Sequence, residues 1–148
     1  FKPEFEKENI TLDISLSTDD IRLLLDEKLF KDVVINLSQN SIYAINENLH
    51  NIQKGILKIS SQISHDKYIL KIFDNGIGIS ESKLAKIFEP YYTTKATGTG
   101  LGLTTVYKII KEFSGDINVK SVEGEGTEFT ITLPIPQLDK KLLSFNQS

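Results

Sequence analysis

The chain contains no cysteine, which excludes disulfides, thiolate metal sites and cysteine catalysis and fits a reducing compartment. No apolar run approaches the roughly 20 residues that a membrane helix needs, and the start shows no signal-peptide pattern. An excess of positive charge is also missing. The 17 basic and 20 acidic residues leave a net charge of −3, so there is no electrostatic footprint for nucleic acid or an anionic membrane. A small phosphate ligand can still be held locally by backbone N–H groups. Internal repeats and low-complexity segments are absent too. What is present is an ordinary composition, 39% hydrophobic and 25% charged over 148 residues, enough for one domain with a sizeable core. The chain begins at Phe1 rather than Met, and is expected to be a piece of something longer, with an anchor or sensor elsewhere left open.

Residues 1–9 are polar and charged and read as a connector. Ile10, Leu12, Ile14 and Leu16 then alternate with polar residues, the period of a half-buried strand. Residues 17–20 supply turn chemistry, and residues 21–25 are expected to form a short second strand. Asp26 is placed to cap a helix running to about Glu47, with Leu29, Phe30, Val33, Val34, Leu37, Ala44 and Ile45 on one broad face. Asn36 and Asn40, four residues apart, stand one above the other at the margin of that face. As an isolated pair they read first as solvated or locally bonded polar residues at a core margin, and second as ligands. Residues 46–55 turn polar, and a β-hairpin is predicted from Leu57–Ile63 and Tyr68–Ile72 around a turn at residues 64–67.

The second strand of that hairpin runs directly into Asp74-Asn75-Gly76-Ile77-Gly78-Ile79, and Gly98-Thr99-Gly100-Leu101-Gly102-Leu103 follows further on. Five of the nine glycines lie in these two clusters, a backbone-entropy cost expected only where the chain needs positive φ or close approach of a ligand. Between them Ser80 is predicted to cap a short helix over residues 81–88, ended by Pro90. Residues 91–99 read as a mobile loop with one charge, Lys95. A second long helix opens at Gly100, with Leu103, Val106, Tyr107, Ile110 and Phe113 on its buried side and Gly115 at its left-handed C-terminal position. Ile117, Val119 and Ser121 begin a strand, residues 123–126 form a tight turn, and residues 127–133 form a closing strand. Residues 135–148 are a short helix or a loose tail.

A carboxylate at a strand end, as at Asp74, suits acceptance of a hydrogen bond from an exocyclic amine, and adenine recognition is the natural use. A plain Asp-Asn-Gly turn is the competing reading. The second glycine cluster leads into a helix whose N-terminus can meet phosphate oxygens. It is not a dinucleotide fingerprint, because a loop and not a strand precedes it, and no Walker lysine is present. Lys95 is a natural cation for a terminal phosphate or an ordinary surface lysine. The amide oxygen of Asn40 suits a Mg²⁺ shell. Neither a paired-carboxylate site nor a Ser-His-Asp arrangement is suggested.

In order along the chain, these pieces resemble the catalytic ATP-binding domain of bacterial sensor histidine kinases, in the superfamily that includes gyrase, the large heat-shock chaperones and the mismatch-repair ATPases. Asn36-Leu37-Ser38-Gln39-Asn40 is similar to the N box and Asp74-Asn75-Gly76-Ile77-Gly78 to the first glycine box. Phe88-Glu89-Pro90 matches the F box, Gly98 to Leu103 the second glycine box, and Gly124-Glu125-Gly126-Thr127 the final glycine-threonine turn. The likeness covers about residues 10–134. Within it, the wording from Phe88 to Lys95 looks most like the nitrogen-regulator sensor subgroup, whose lids are short.

The resemblance implies an α/β (α+β) two-layer sandwich, a mixed sheet with about three helices on one face, the Bergerat-type ATP-binding fold. It implies a domain over 10–134, a connector at 1–9 from a dimerisation domain, and a tail at 135–148. Asp74 would bond the adenine amine with Thr127 assisting, while Gly76, Gly78 and Ile79 shape the base site. Asn40 would hold Mg²⁺, with Asn36 beside it supporting the phosphates and metal. Thr93, Thr94, Lys95, Gly98, Thr99, Gly100, Leu101, Gly102 and Leu103 would form a phosphate-holding lid. The implied activity is transfer of the ATP γ-phosphate to a histidine on a separate dimerisation domain, then to a response regulator, by a monomeric cytoplasmic domain of a soluble or membrane-anchored kinase. Alternatives are a dimerisation-gated ATPase, which usually carries Glu where this chain has Asn36, and a binding module free of nucleotide. Two departures stand out: Ser41 replaces the usual Ala after Asn40, and Tyr43 stands where many relatives carry Lys or Arg. No phosphoacceptor histidine motif is present: His50 follows the first helix and His65 lies in the hairpin turn, both expected to be exposed, and the phosphoacceptor is expected on a segment outside these residues.

Overall fold

The computed structural model describes residues 9–17, 23, 25–89 and 102–136. Five strands form one mixed sheet: β1 (Ile10–Ser15), β2 (Gly55–Ser64), β3 (Lys67–Asp74), β4 (Asp116–Val122) and β5 (Gly126–Pro134), in the order β1-β2-β3-β5-β4. Only the β1–β2 pair is parallel. That pair needs a crossover, which the long helix α1 (Glu27–Asn46) supplies. Two more helices, α2 (Glu81–Leu84) and α3 (Leu103–Glu112), follow β3.

Strand register turns the alternating sequence into layered rows across the sheet. Ile59, Ile72, Phe129 and Val119 make one row, and Leu70, Ile131 and Ile117 the next. Most of these side chains are buried, because α1 packs on β2, β3 and β5 while α3 packs on β4 and on α1. Lys58, Lys71, Glu128 and Lys120 alternate with them onto the opposite face. The last row of the covered face is polar: Leu57, Asp74, Thr127 and Ser121.

The N-cap of α1 is Asp26, whose side chain accepts from the Leu29 N–H at 3.0 Å, a bond worth about 1 kcal/mol. Burial of Val33, Leu37, Ile42 and Ile45 contributes more, at roughly 1.5–3 kcal/mol each. Ile42 was not on the predicted apolar face, and Leu29, Phe30, Val34 and Ala44 are only partly buried. The helix is covered by the sheet on one side and α3 on another, so its buried arc widens to include Asn36, Ser38 and Ser41.

Other expectations need correction. The short helix spans Glu81–Leu84 rather than 81–88, and Ser80 takes the N-cap position without a side-chain cap bond. Of the expected strand at residues 21–25, only Leu23 and Leu25 are described, and both pack on the core outside any strand. Tyr107 is exposed rather than buried, and Ile109 takes its inward place. At the end of α3 the left-handed residue is Ser114 (φ +60°), not Gly115. The Gly115 and Ser114 N–H groups bond to the Ile110 and Lys111 carbonyls at 2.9 and 3.0 Å, a Schellman ending. Gly115 is required because a Cβ there would lie 2.6 Å from the Thr132 carbonyl and from Leu133. Beyond β5, Ile135 is still buried and its N–H bonds to the Asp66 carbonyl; the rest of the expected tail from 137 lies outside the described residues.

Candidate functional site

Asp74 ends β3 on the covered face, at the point where the apolar rows stop. Its carboxylate is 2% exposed. One oxygen accepts from the Gly76 N–H at 2.9 Å, closing an Asx turn. Burial pushes its pKa up from 3.8 to about 6, against the opposing pull of the Gly76 and Thr127 N–H groups and the Ser41 hydroxyl. The Ser41 Oγ is buried and makes no hydrogen bond of good geometry, so its influence on Asp74 is an electrostatic one. A buried carboxylate with so few donors is poised to accept from a ligand amine.

The loop after Asp74 is clamped from three sides. Against β2, the Asn75 side chain takes the Ile56 N–H at 2.7 Å and donates to the Lys54 carbonyl at 3.0 Å. Against α1, the Ile77 N–H bonds to the Ala44 carbonyl at 3.0 Å. Against the β4–β5 turn, the Gly124 N–H bonds to the Ile77 carbonyl and the Ile79 N–H to Ser121 Oγ at 2.7 Å. Gly78 has φ +72° and no room for a Cβ, which would lie 2.2 Å from the Val122 carbonyl. The space beside Gly76 is likewise filled by the Ala44 backbone. Both glycines are therefore required by protein packing around the loop.

Asn48 is a member of the site that sequence reasoning does not single out. It is 1% exposed, and its Nδ2 lies 3.1 to 3.4 Å from the carbonyls of Gly76, Asn75 and Gly124. Asn51 donates to its Oδ1 at 3.1 Å. One amide thereby joins the end of α1, the Asp74 loop and the β4–β5 turn. In sequence it sits in a polar stretch after a helix and carries no signal of burial. Ser121 did carry one: it is a polar residue at an inward position of the Ile117, Val119, Ser121 alternation.

On α1, Asn36, Asn40 and Ala44 form one line at four-residue spacing, running past this loop. Asn40 Nδ2 donates to Asn36 Oδ1 at 3.3 Å, which leaves the Asn40 Oδ1 as the amide oxygen free of that bond. Asn36 is buried and Asn40 half-buried. Among the described residues there is no group of three or more His, Asp or Glu arranged to hold a metal. A lone amide oxygen therefore fits an ion held mainly by phosphates and water, the habit of Mg²⁺.

Gly102 is the N-cap of α3, with no side-chain cap bond, no acidic residue in the first turn and open space where a Cβ would be. Among the described residues nothing caps the first turn of N–H groups, the kind of place where an anion binds. Thr104 Oγ1 ties this turn to the Phe88 carbonyl at 2.7 Å, and Phe88 packs on Tyr107 at 5.5 Å between ring centroids. The structure thus brings together Asp74, Gly76, Gly78, Ile79 and Thr127, and separately pairs Asn36 with Asn40. Gly102 and Leu103 stand at the start of α3. Thr93, Thr94, Lys95, Gly98, Thr99, Gly100 and Leu101 lie outside the described residues. His50 and His65 are exposed, and β3 separates His65 from Asp74 by roughly 23 Å of strand.

A crossover helix over a mixed sheet, a buried carboxylate at a strand end and a helix start with no side-chain cap among the described residues suit a nucleotide site. Residues 25–137 match the family described as histidine kinase-, DNA gyrase B-, and HSP90-like ATPase, and the chain belongs to that family. Its nucleotide is accordingly ATP. Sporulation kinase E of Bacillus subtilis (strain 168) is 38% identical over 129 residues, which is 87% of this chain and 17% of the kinase. Among solved structures, the nucleotide-free catalytic domain of histidine kinase ThkA matches with a TM-score of 0.77 and 35% identity, over 91% of this chain and 85% of that one. The structure of ThkA in complex with response regulator protein TrrA matches with a TM-score of 0.73 and 31% identity, over 92% of this chain and 37% of that one. The chain thus spans a small part of the length of the curated kinase, and its mixed five-stranded sheet with three helices is that of histidine kinase catalytic domains.

Proposed function

We propose that this domain binds Mg-ATP and presents the γ-phosphate to a histidine on a separate dimerisation domain of the same kinase, from which the phosphoryl group passes to a response regulator. The observation that carries this reading is Asp74: a buried carboxylate at the end of the covered face, in a loop rigidly held by α1 and the β4–β5 turn, within an ATPase family. Asp74 accepts from the adenine amine with Thr127 beside it, against Gly76, Gly78 and Ile79. The first-turn N–H groups of α3, from Leu103 on after Gly102, would meet the phosphates. The phosphate contacts that the resemblance implies for Thr93, Thr94, Lys95, Gly98, Thr99, Gly100 and Leu101 belong to the same reading, and these residues lie outside the described ones.

Asn40 would hold Mg²⁺ through Oδ1, and Asn36, whose Oδ1 is engaged by Asn40, would fix that amide's orientation. The ion, when bound, would neutralise phosphate charge. The residues of this chain bind and orient. A bond forms from an imidazole nitrogen to Pγ as the bond from Pγ to the bridging oxygen breaks, and ADP leaves. Asn36 is an amide and cannot take a proton from water, which speaks against hydrolysis as the purpose.

Among the described residues no helix is long and apolar enough to cross a membrane, and we place the domain in the cytoplasm as a monomer. The test is transfer of labelled γ-phosphate from ATP, by this chain, to a supplied dimerisation domain bearing its histidine. Label on that histidine, then on an added response regulator, is expected. Tight Mg-ATP binding with no transfer to any such domain would overturn the kinase reading and leave a binding module.

A further inference from the structure

The polar row at the end of the sheet holds more than Asp74 and Thr127. Ser121 pairs with Thr127 across β4 and β5 and places its Oγ among three groups. The Ile79 N–H lies at 2.7 Å, the Gly126 carbonyl at 2.8 Å and Thr127 Oγ1 at 2.8 Å. A serine hydroxyl has one proton and two lone pairs. An amide N–H only donates and a carbonyl only accepts, so two of these three bonds have a fixed direction. The Ser121 proton goes to Gly126, and one lone pair takes the Ile79 N–H. The Thr127 hydroxyl is left to donate to the other lone pair. Its own proton is then spent inside the sheet, and it offers only lone pairs to anything beside Asp74.

We propose that Ser121 is a positioning residue that holds the Thr127 hydroxyl as an acceptor, so that this end of the sheet reads a 6-amino purine and disfavours a 6-oxo purine. Two neighbouring acceptors, the Asp74 carboxylate and Thr127 Oγ1, suit an exocyclic amine with its two N–H groups. A 6-carbonyl would meet lone pairs on both sides. The inference rests on the nucleotide reading of Asp74, and it assigns to Ser121 a role in choosing the base, exerted through Thr127.

The experiment is calorimetric titration of this chain with Mg-ATP and with Mg-ITP, which differ in the amino and oxo groups at the 6-position. In Ser121→Ala the Thr127 hydroxyl is free to turn and donate, and the ATP-over-ITP affinity ratio should fall by about fivefold, the worth of one ordinary hydrogen bond. Ser121→Thr, which keeps a hydroxyl there, should retain the ratio. In a Thr127→Val background the ratio should be lowered already, and adding Ser121→Ala should not change it further. If Ser121→Ala does not fold, Ser121→Cys, whose thiol is a weak hydrogen-bonding group, takes its place and should lower the ratio while Ser121→Thr retains it. Equal weakening of ATP and ITP by Ser121→Ala would show a merely structural role and overturn the inference, as would an unchanged ratio. Failure of the parent chain to bind ATP at all would instead overturn the nucleotide reading, and is seen before any variant is made.

Discussion

Replacing Asp74 by Asn should make the nucleotide-free domain more stable at neutral pH while removing its ability to bind ATP. The carboxyl pKa is raised from 3.8 to about 6 by burial. Because the folded-state value lies above the unfolded one, the folded protein binds more protons than the unfolded chain between those values. Stability therefore falls as pH rises through that window, and ionisation is fully costed above pH 6. At about 1.4 kcal/mol per pH unit the gap is worth about 3 kcal/mol. Asn keeps an oxygen for the Gly76 N–H, carries no charge, and its new N–H groups face Ser41 Oγ, a buried atom with no hydrogen-bond partner. The assay is urea unfolding of both proteins without nucleotide at pH 4, 5, 6 and 7. Taking the difference at each pH cancels every other titrating group. The variant's advantage should grow with pH by up to about 3 kcal/mol, roughly 6–12 °C in Tm for a chain of this size. A difference that stays constant from pH 4 to 7 would refute the reasoning. Under the proposed function, that cost is the counterpart of having an acceptor for the base amine at Asp74.

The same ionisation should govern base binding. Adenosine, which has no phosphate to titrate, should bind with constant affinity above pH 7 and about tenfold more weakly at pH 5, because a protonated Asp74 no longer accepts; a flat profile from pH 7 to 5 would remove Asp74 from base recognition. Asn48→Ala should cost on the order of 3 kcal/mol, since buried carbonyls of the Asp74 loop and the β4–β5 turn lose their shared donor. Urea unfolding measures it, and a loss below about 0.5 kcal/mol would mean that the clamp is not made. Ser114→Gly should stabilise by about 1 kcal/mol because Ser114 holds φ +60° at the Schellman position, read as a rise in thermal midpoint; no rise would contradict the strain assigned there.

Much of this protein was legible in its sequence. The alternations at Ile10–Leu16, Leu57–Ile63 and Tyr68–Ile72 give the strands because side chains project with period two. Asp26 and the spacing after it give α1, and the ordered boxes at Asn36, Asp74, Phe88, Gly98 and Gly124 give the family. Asp74 alone reads equally well as a plain Asp-Asn-Gly turn, and it is the order of its box among the others that singles it out. What only the tertiary structure decided depends on partners far apart in the chain. The sequence could not show that Asp74, Thr127 and Ser121 share one row, since that row exists only through the β3–β5 and β4–β5 registers. Nor could it show that Asn48 is buried, for its partners lie 27 to 76 residues away. The glycine clusters were expected where the chain needs positive φ or close approach; Gly78 takes positive φ, but only the fold shows that the backbones of Ala44 and Val122 are what press on Gly76 and Gly78. Local periodicity is written into each segment by its own geometry, whereas a hydrogen-bond direction or an excluded Cβ is set by neighbours that only folding brings near.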